Sequence, residues 1–401
     1  VIGAQRATRR NDLPPPASRR SPDTAATVLR AVLDHGPIAR SSIARATRLS
    51  AATVTGVATS LLHRGLVREA PEAVGPPGIG RPHVPLDVES DAVGVIGVHI
   101  AVPRLTVALL DLRGRVIAQR QYPHGRRDPD SVLTALATAI AAVRREHGRR
   151  RRILGLGLAT GGWVDAAKGT VVEHPVLGWR DVRAGAALAG ATGLPVWVDS
   201  NSRALLRAEQ LLGRVSGRAR QSAVQLFAGN VVDVAFATGG VVHQGPRSAA
   251  GAVAHLPVEG CAEPCSCGRV GCLQAAVGER ALVRRAYAAG LIHQPDIHTL
   301  VDAAAAGGAA ALGMLRERAR LVGRAAALLL DLFDPEVLVV AEAGANRLPE
   351  CLEALRTEAA DASSCGANMV TTVYASSFPD NVLAVAGGAV ALDQVYTSPL
   401  I

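Results

Sequence analysis

One imidazole and three thiols fall within eighteen residues of this chain: His255, Cys265, Cys267 and Cys272. Nitrogen and sulfur ligands at such spacing are what a tetrahedral Zn²⁺ site needs. Cys265 and Cys267 flank one residue, and Cys272 follows five residues on, so the three can wrap a single ion. Gly268 and Gly271 permit the tight turns this wrapping requires. Four protein ligands fill the ion's coordination sphere, so the expected role is structural, not catalytic. Cys261 is a spare thiol able to compete as a ligand. The competing reading is a set of buried free thiols or a redox pair.

A second chemistry lies near the start. Residues 24–35 carry apolar residues at helical spacing, and Gly36-Pro37 ends that helix. A short helix over 41–47 and a turn at Arg48-Leu49 follow. Ser50 is placed to cap a third helix over 51–64, its hydroxyl accepting a free first-turn N–H. Gly65 stops it. Residues 66–69 then read as a strand with 84–88 as partner, and the Gly- and Pro-rich run 75–82 between them as a wing. This is the pattern of a winged helix-turn-helix, whose third helix enters the DNA major groove. Its leading residues, Ala51, Ala52, Thr53, Thr55 and Gly56, are small and uncharged. Alanine and threonine suit thymine methyls, and threonine also exchanges hydrogen bonds with base edges. Arg40, Arg45, Arg48 and Arg64 surround the helix as candidates for phosphate contacts, and Arg81 at the wing tip is a candidate for the minor groove. The competing reading is a protein–protein module.

Charge agrees with a nucleic-acid partner. The formal net charge is +9, and residues 1–88 carry twelve arginines against six acidic residues. Residues 1–22, with five arginines (Arg6, Arg9, Arg10, Arg19 and Arg20) and the run Pro14-Pro15-Pro16, read as a disordered basic arm. The run Arg149–Arg152 reads as a solvated helix–strand junction. No span approaches the ~18 consecutive apolar residues of a membrane helix, and the opening residues do not resemble a secretory signal. With four clustered cysteines and two apart, Cys351 and Cys365, the expected setting is a reducing cytoplasm with no membrane partner.

From residue 91 the pattern changes to α/β. Strands are expected over 93–100, 104–111, 115–122, 153–159 and 195–199, with helices over 130–146, 181–192 and 201–213 and a hairpin region over 163–173. A second set of strands follows at 222–228, 231–238 and 240–243, then mostly helices from 276, with strands near 336–340 and 369–374. Three strands followed by αβα, repeated once, predicts two actin-like lobes. The boundaries drawn are 23–72 for the winged helix, 73–90 for wing and linker, 91–200 for the first lobe and 201–401 for the second, whose last helix can return to the first.

These residues together resemble the ROK family (repressors, open reading frames and kinases), specifically its winged-helix regulators. The resemblance covers about 24–395. It rests on His255 followed by Cys265-Ser266-Cys267-Gly268-Arg269-Val270-Gly271-Cys272, on 36–40 with 49–54 and 80–82, on 161–165 with 177–179, and on 331–335. It implies a winged helix-turn-helix joined to a ribonuclease H-like, actin-like two-lobe body with a sugar cleft. In family kinases that cleft also holds ATP, and an aspartate acts as base.

The departures from the kinase pattern imply a loss of phosphoryl transfer. The first phosphate loop reads His99-Ile100-Ala101-Val102-Pro103 in place of Asp-x-Gly-Gly-Thr. The four glycine positions of the second fall on Gly229, Val231, Asp233 and Ala235, where Asp233 is expected to repel phosphate. A later Gly-Gly becomes Ala341-Glu342, and the catalytic aspartate becomes Asn201, whose amide cannot take up a proton as a carboxylate does. Asp199, two residues earlier, stands too far along the chain to substitute within ~3 Å. No ATP is expected. On the sugar side the matching positions are Gly162, Ser200, Asn201, Ala252, His255 and Gln274, of which Gly162 and His255 are kept. Such a pocket makes fewer charge-assisted hydrogen bonds. It suits a sugar bound more weakly, a glycosylated metabolite, or nothing.

The expectation is therefore a non-enzymatic regulator, by default a repressor, that binds a double-stranded DNA operator as a homodimer and senses a sugar or glycosylated small molecule. Activation and further pairing into a tetramer are left open. The rivals are a constitutive DNA-binding regulator without an effector and an active sugar kinase carrying a DNA domain.

Overall fold

A computed structural model describes residues 23–73, 84–101, 104–125, 127–148, 150–258 and 261–401. The basic arm 1–22, the wing tip with Arg81, Val102-Pro103 and Arg149 lie outside the described residues.

Three helices, α1 (Thr24–His35), α2 (Arg40–Thr47) and α3 (Ala51–His63), precede β1 (Val67–Glu69), which pairs antiparallel with β2 (Leu86–Val88). Asp23 caps α1 by accepting from the Ala25 amide at 3.0 Å. Arg48 makes the tight turn between α2 and α3 with φ of 59°, and Gly65 ends the helical run with φ of 64°. Ser50 caps α3: its hydroxyl accepts from the Thr53 amide at 3.1 Å.

The first lobe follows as β3 (Val93–Ile100), β4 (Arg104–Leu110), β5 (Val116–Pro123), α4 (Pro129–His147), β6 (Arg152–Thr160), β7 (Trp163–Asp165), β8 (Thr170–His174), β9 (Trp179–Val182), α5 (Ala184–Thr192) and β10 (Val196–Ser200). Its main sheet has the order β10-β6-β3-β4-β5, and β7-β8-β9 form a separate small sheet. The residue pattern predicts a helix from 181. The chain instead continues as strand β9 before the helix, because Trp179 is buried and its indole donates to the Arg127 carbonyl at 2.6 Å.

The second lobe runs through α6 (Asn201–Leu212), α7 (Ser216–Ala219), β11 (Ser222–Ala228), β12 (Val232–Thr238), β13 (Val241–Val242), α8 (Leu273–Val277), α9 (Glu279–Ala288), α10 (Ile297–Ala305), α11 (Ala309–Phe333), β14 (Val337–Glu342), α12 (Ala343–Arg347), α13 (Pro349–Ala362), α14 (Met369–Thr372), β15 (Val373–Ala375) and α15 (Val382–Thr397). Its sheet has the order β13-β12-β11-β14-β15. The strand expected over 369–374 is short, since Asn368 caps a helical turn over its first half. No single helix among the described residues is long and apolar enough to cross a membrane.

Helix α15 ties the molecule together. It leaves the second lobe and lies on the first-lobe sheet, where glycines on both partners allow backbone contact. A Cβ on Gly97 of β3 would sit 2.5 Å from the Gly388 nitrogen, and one on Gly157 of β6 would sit 2.1 Å from the Gly387 oxygen. The same core takes in Val28, Leu29 and Val32 of α1 with Ala389, Leu392 and Tyr396 of α15. Asp34 of α1 pairs with Arg220 at 3.0 Å, and Arg113 bonds Asp87 of β2. The three-helix unit is thus docked on the body by shared apolar surface and by ion pairs.

Candidate functional site

The exposed face of α3 is built from Ala51, Ala52, Thr53, Thr55, Gly56 and Thr59, while Val54, Ala58 and Leu61 point into the core. Nothing lies within 4 Å of a Cβ placed on Gly56, so the face is open. A convex helix face of small side chains lets a backbone come close to base edges. Arg45 and Arg48 are exposed beside it, with Arg45 donating to the Ser42 hydroxyl at 3.1 Å. Arg40 pairs with Glu69 at 3.1 Å, an exposed bridge that competing phosphate can break at little cost. Arg64 is engaged elsewhere, donating to the Leu400 and Ile401 carbonyls.

The ligand atoms of His255, Cys265, Cys267 and Cys272 all lie within 4.8 Å of one another. The Cys265 sulfur is 3.7 Å from His255 Nδ1, and the Cys267 and Cys272 sulfurs are 3.6 Å apart. Metal–ligand bonds of about 2.0–2.3 Å arranged tetrahedrally give separations of that size. Cys261 does not belong to this set. Backbone bonds from Cys265 to Arg269 and from Val258 to Gly271 fold the loop around the four side chains. The Arg269 side chain draws the Cys267 thiol down to about 6, toward the thiolate that binds metal. The cluster can hold a tetrahedral metal ion.

Two cavities lie between the lobes. The larger, about 460 Å³, is lined by Gly162, Ser200, Ala252, His255 and Gln274, five of the six positions matched to the sugar side. Gly162 has φ of 87°, and a Cβ there would meet the Glu173 carbonyl at 2.2 Å, so only glycine fits. Gln274 is held: it accepts from the Val232 amide at 2.8 Å and donates to the Asn230 carbonyl at 3.0 Å, clamping the β11–β12 turn. His255 and Cys265 line both this cavity and the metal cluster.

The sixth position, Asn201, lines the smaller cavity of about 320 Å³, where its Oδ1 meets His99 Nε2 at 3.0 Å. Burial holds His99 down at about 4, so it is neutral near pH 7. Asp233 also falls elsewhere than the residue pattern suggests. It lines the larger cavity, accepts from the Ser202 hydroxyl at 2.6 Å, and is pushed up by burial. It therefore brings a carboxyl group to the wall of the larger cavity. Asp199 cannot serve as base, because Arg203 at 2.5 Å and Arg207 at 3.3 Å hold both its oxygens.

Composition and spacing give no sign of the ion cluster that occupies the second lobe's cleft wall. Arg318, 2% exposed, bonds Glu342 and donates to the Val277 and Ala228 carbonyls at 2.7 and 2.8 Å. Arg318 and Glu342 lie 24 residues apart on the successive elements α11 and β14, and only the fold joins them. Glu342, in place of a glycine, thus presents a buried, paired carboxylate where an approaching phosphate would need backbone N–H groups.

Comparison with known proteins agrees with this architecture. A transcriptional regulator of Mycobacterium tuberculosis is 35% identical over 399 residues, covering 96% of this chain and 89% of that protein. The DNA-binding transcriptional dual regulator NagC of Escherichia coli is 27% identical over 84% of this chain and 85% of its own length. Among solved structures, a ROK family transcriptional regulator, a homologue of the E. coli MLC protein, matches with a TM-score of 0.74 at 22% identity, covering 94% of this chain and 96% of that one. A ROK family glucokinase from Streptomyces griseus in complex with glucose and AMPPNP matches with a TM-score of 0.64 at 23% identity over 75% of this chain and 98% of its own. The last two show the likeness of fold. The ROK family model itself matches residues 95–393, and the chain belongs to the ROK family.

Proposed function

We propose that this protein is a cytoplasmic transcriptional regulator that binds an operator in double-stranded DNA as a homodimer and responds to a sugar or glycosylated small molecule. The observation that carries the DNA reading is the open, Ser50-capped face of α3, flanked by Arg45 and Arg48. Ala52, Thr53 and Thr55 approach base edges, while Arg40, Arg45 and Arg48 take phosphates and Arg81 enters the minor groove. Relatives that are named transcriptional regulators support the same reading. Repression is the default mode, since a dimer seated on an operator blocks polymerase without further contacts.

The larger cavity takes the effector, with Gly162, Ser200, His255 and Asp233 as its polar contacts. The metal cluster holds structural Zn²⁺ through His255, Cys265, Cys267 and Cys272, and shares His255 with the cavity wall. Effector binding alters the angle between lobes. Through α15 it then alters the spacing of two α3 helices, which must match half-sites about one helical turn or a multiple apart. No ATP is used and no reaction is catalysed. Titrating the full chain onto DNA from upstream of its own gene at two salt concentrations tests the DNA reading. A salt-dependent, saturable complex is expected, and equal weak binding to any duplex would refute it.

A second reading is favoured by Gln274 and Ala252: one is spent on the β11–β12 turn and the other is a methyl. With so few free polar groups, the body serves only to dimerise, and DNA binding is indifferent to every sugar. Calorimetry with a panel of sugars separates the two.

A further inference from the structure

The smaller cavity between the lobes has a chemistry opposite to that of a phosphate site. Its body is apolar, with Ile100, Phe227, Ile297, Val301, Val382 and Leu383 in its walls. Two polar atoms at its wall are buried acceptors. His99 is 2% exposed, and its Nε2 faces the Asn201 amide oxygen, which only accepts. Nε2 therefore carries the proton, and Nδ1 is a lone-pair acceptor with no partner. Gln119 Oε1 is likewise buried and unpartnered, and Gln119 lines the same cavity. Glu279, at the start of α9, sets its carboxyl beside Gly229. The nearest cation is Arg318 at 4.0 Å, and that guanidinium already serves Glu342 and two carbonyls. Glu342, paired with Arg318, and Asp380 add further carboxylates to the lining. Among the described lining residues the one guanidinium, Arg347, is paired with Asp302 at 2.7 Å.

A buried carboxylate short of donors carries a desolvation cost that a ligand ammonium can recover. A phosphate would meet the carboxylates of Glu279, Glu342 and Asp380 in this lining. We propose that this cleft is a second ligand site, separate from the hydroxyl-lined cavity, that takes a compact apolar amine. Its hydrocarbon or aromatic body packs among Phe227, Ile297 and Val301. Its ammonium is held by Glu279. The two cavities share the walls Val176, Asn230 and Val231, so occupation of one bears on the other. The cleft also touches Asn381, Val382 and Leu383 at the start of α15, the helix whose far end meets α1.

The test uses the full chain with tryptamine and phenethylamine as probes, against the matched anions indole-3-propionate and 3-phenylpropionate and against AMPPNP. Binding is read by ligand-observed NMR and by thermal shift. The amines are expected to bind saturably and the two carboxylates at least about tenfold more weakly, with no AMPPNP binding. Glu279→Gln, nearly isosteric, is expected to weaken the amines about tenfold. Ala343→Trp, at the half-buried start of α12 in the cavity lining, is expected to abolish their binding. Amines that do not saturate at millimolar concentration, carboxylates that bind as well as amines, or amine binding unmoved by both substitutions would each overturn the proposal.

Discussion

The Arg30 guanidinium of α1 lies over the Tyr396 ring of α15, 5.6 Å from its centroid. The same arginine donates to the Gln210 carbonyl, and the Tyr396 hydroxyl donates to the Leu112 carbonyl at 2.7 Å. One contact thus joins the three-helix unit to the helix that crosses both lobes. Arg30→Ala should cost about 1 kcal/mol and loosen the docking. Hydrogen exchange over 24–35 should accelerate while the second lobe keeps its protection. Unchanged exchange in α1 would mean that the shared apolar core alone holds the unit.

Removing one metal ligand should be felt locally. Cys267→Ser leaves three of the four ligand atoms now within 4.8 Å, and loss of a structural ion costs several kcal/mol of folding free energy. The substituted chain should purify without stoichiometric zinc and melt earlier in the second lobe, with α1–α3 unaffected in exchange. Wild-type melting and full metal content would refute the ligand assignment.

Glu279 gives a pH signature. Burial pushes it up to about 7 from an ordinary 4.5, so the folded state binds this proton more tightly than the unfolded chain. That proton-linked stability is complete below about pH 4.5 and is lost as pH rises through about 7. Glu279→Gln is neutral throughout. It should therefore melt higher than wild type at pH 8, by on the order of 2 kcal/mol, and the difference should vanish toward pH 4.5. A gain that is constant with pH would show that Glu279 is not the group responsible.

Restoring the kinase aspartate should not restore a kinase. Asn201→Asp would set a carboxylate 3.0 Å from His99 Nε2 and raise the imidazole from about 4, which an NMR titration would register. Glu342, paired with Arg318, and Glu279 still line the cleft, so ADP release with sugars and ATP should stay at background. Turnover above background would contradict the account of the cleft.

Much of this arrangement is legible from residues alone where the determinants are local. Ser50 as a cap, Arg48 at the turn, and the His255–Cys272 spacing each fix their geometry within a few residues. Non-local pairings are not legible. Asp233 sits on strand β12, and which cavity it faces depends on its approach to Ser202 of α6, 31 residues away in the chain. Glu342 falls on a motif position but Arg318 on none, and the two meet only through the fold of the second lobe. Gln274 reads as a ligand contact by position, yet its amide is consumed by the β11–β12 turn, a competition that composition cannot rank.

The central claim is that α3 reads DNA and the body gates it. The most direct measurement is anisotropy titration of the full chain onto labelled DNA from upstream of its own gene, with and without a panel of sugars and glycosylated metabolites. Tight binding that weakens steeply with salt and is released by one compound class is expected. Binding no tighter than to an unrelated duplex would contradict it.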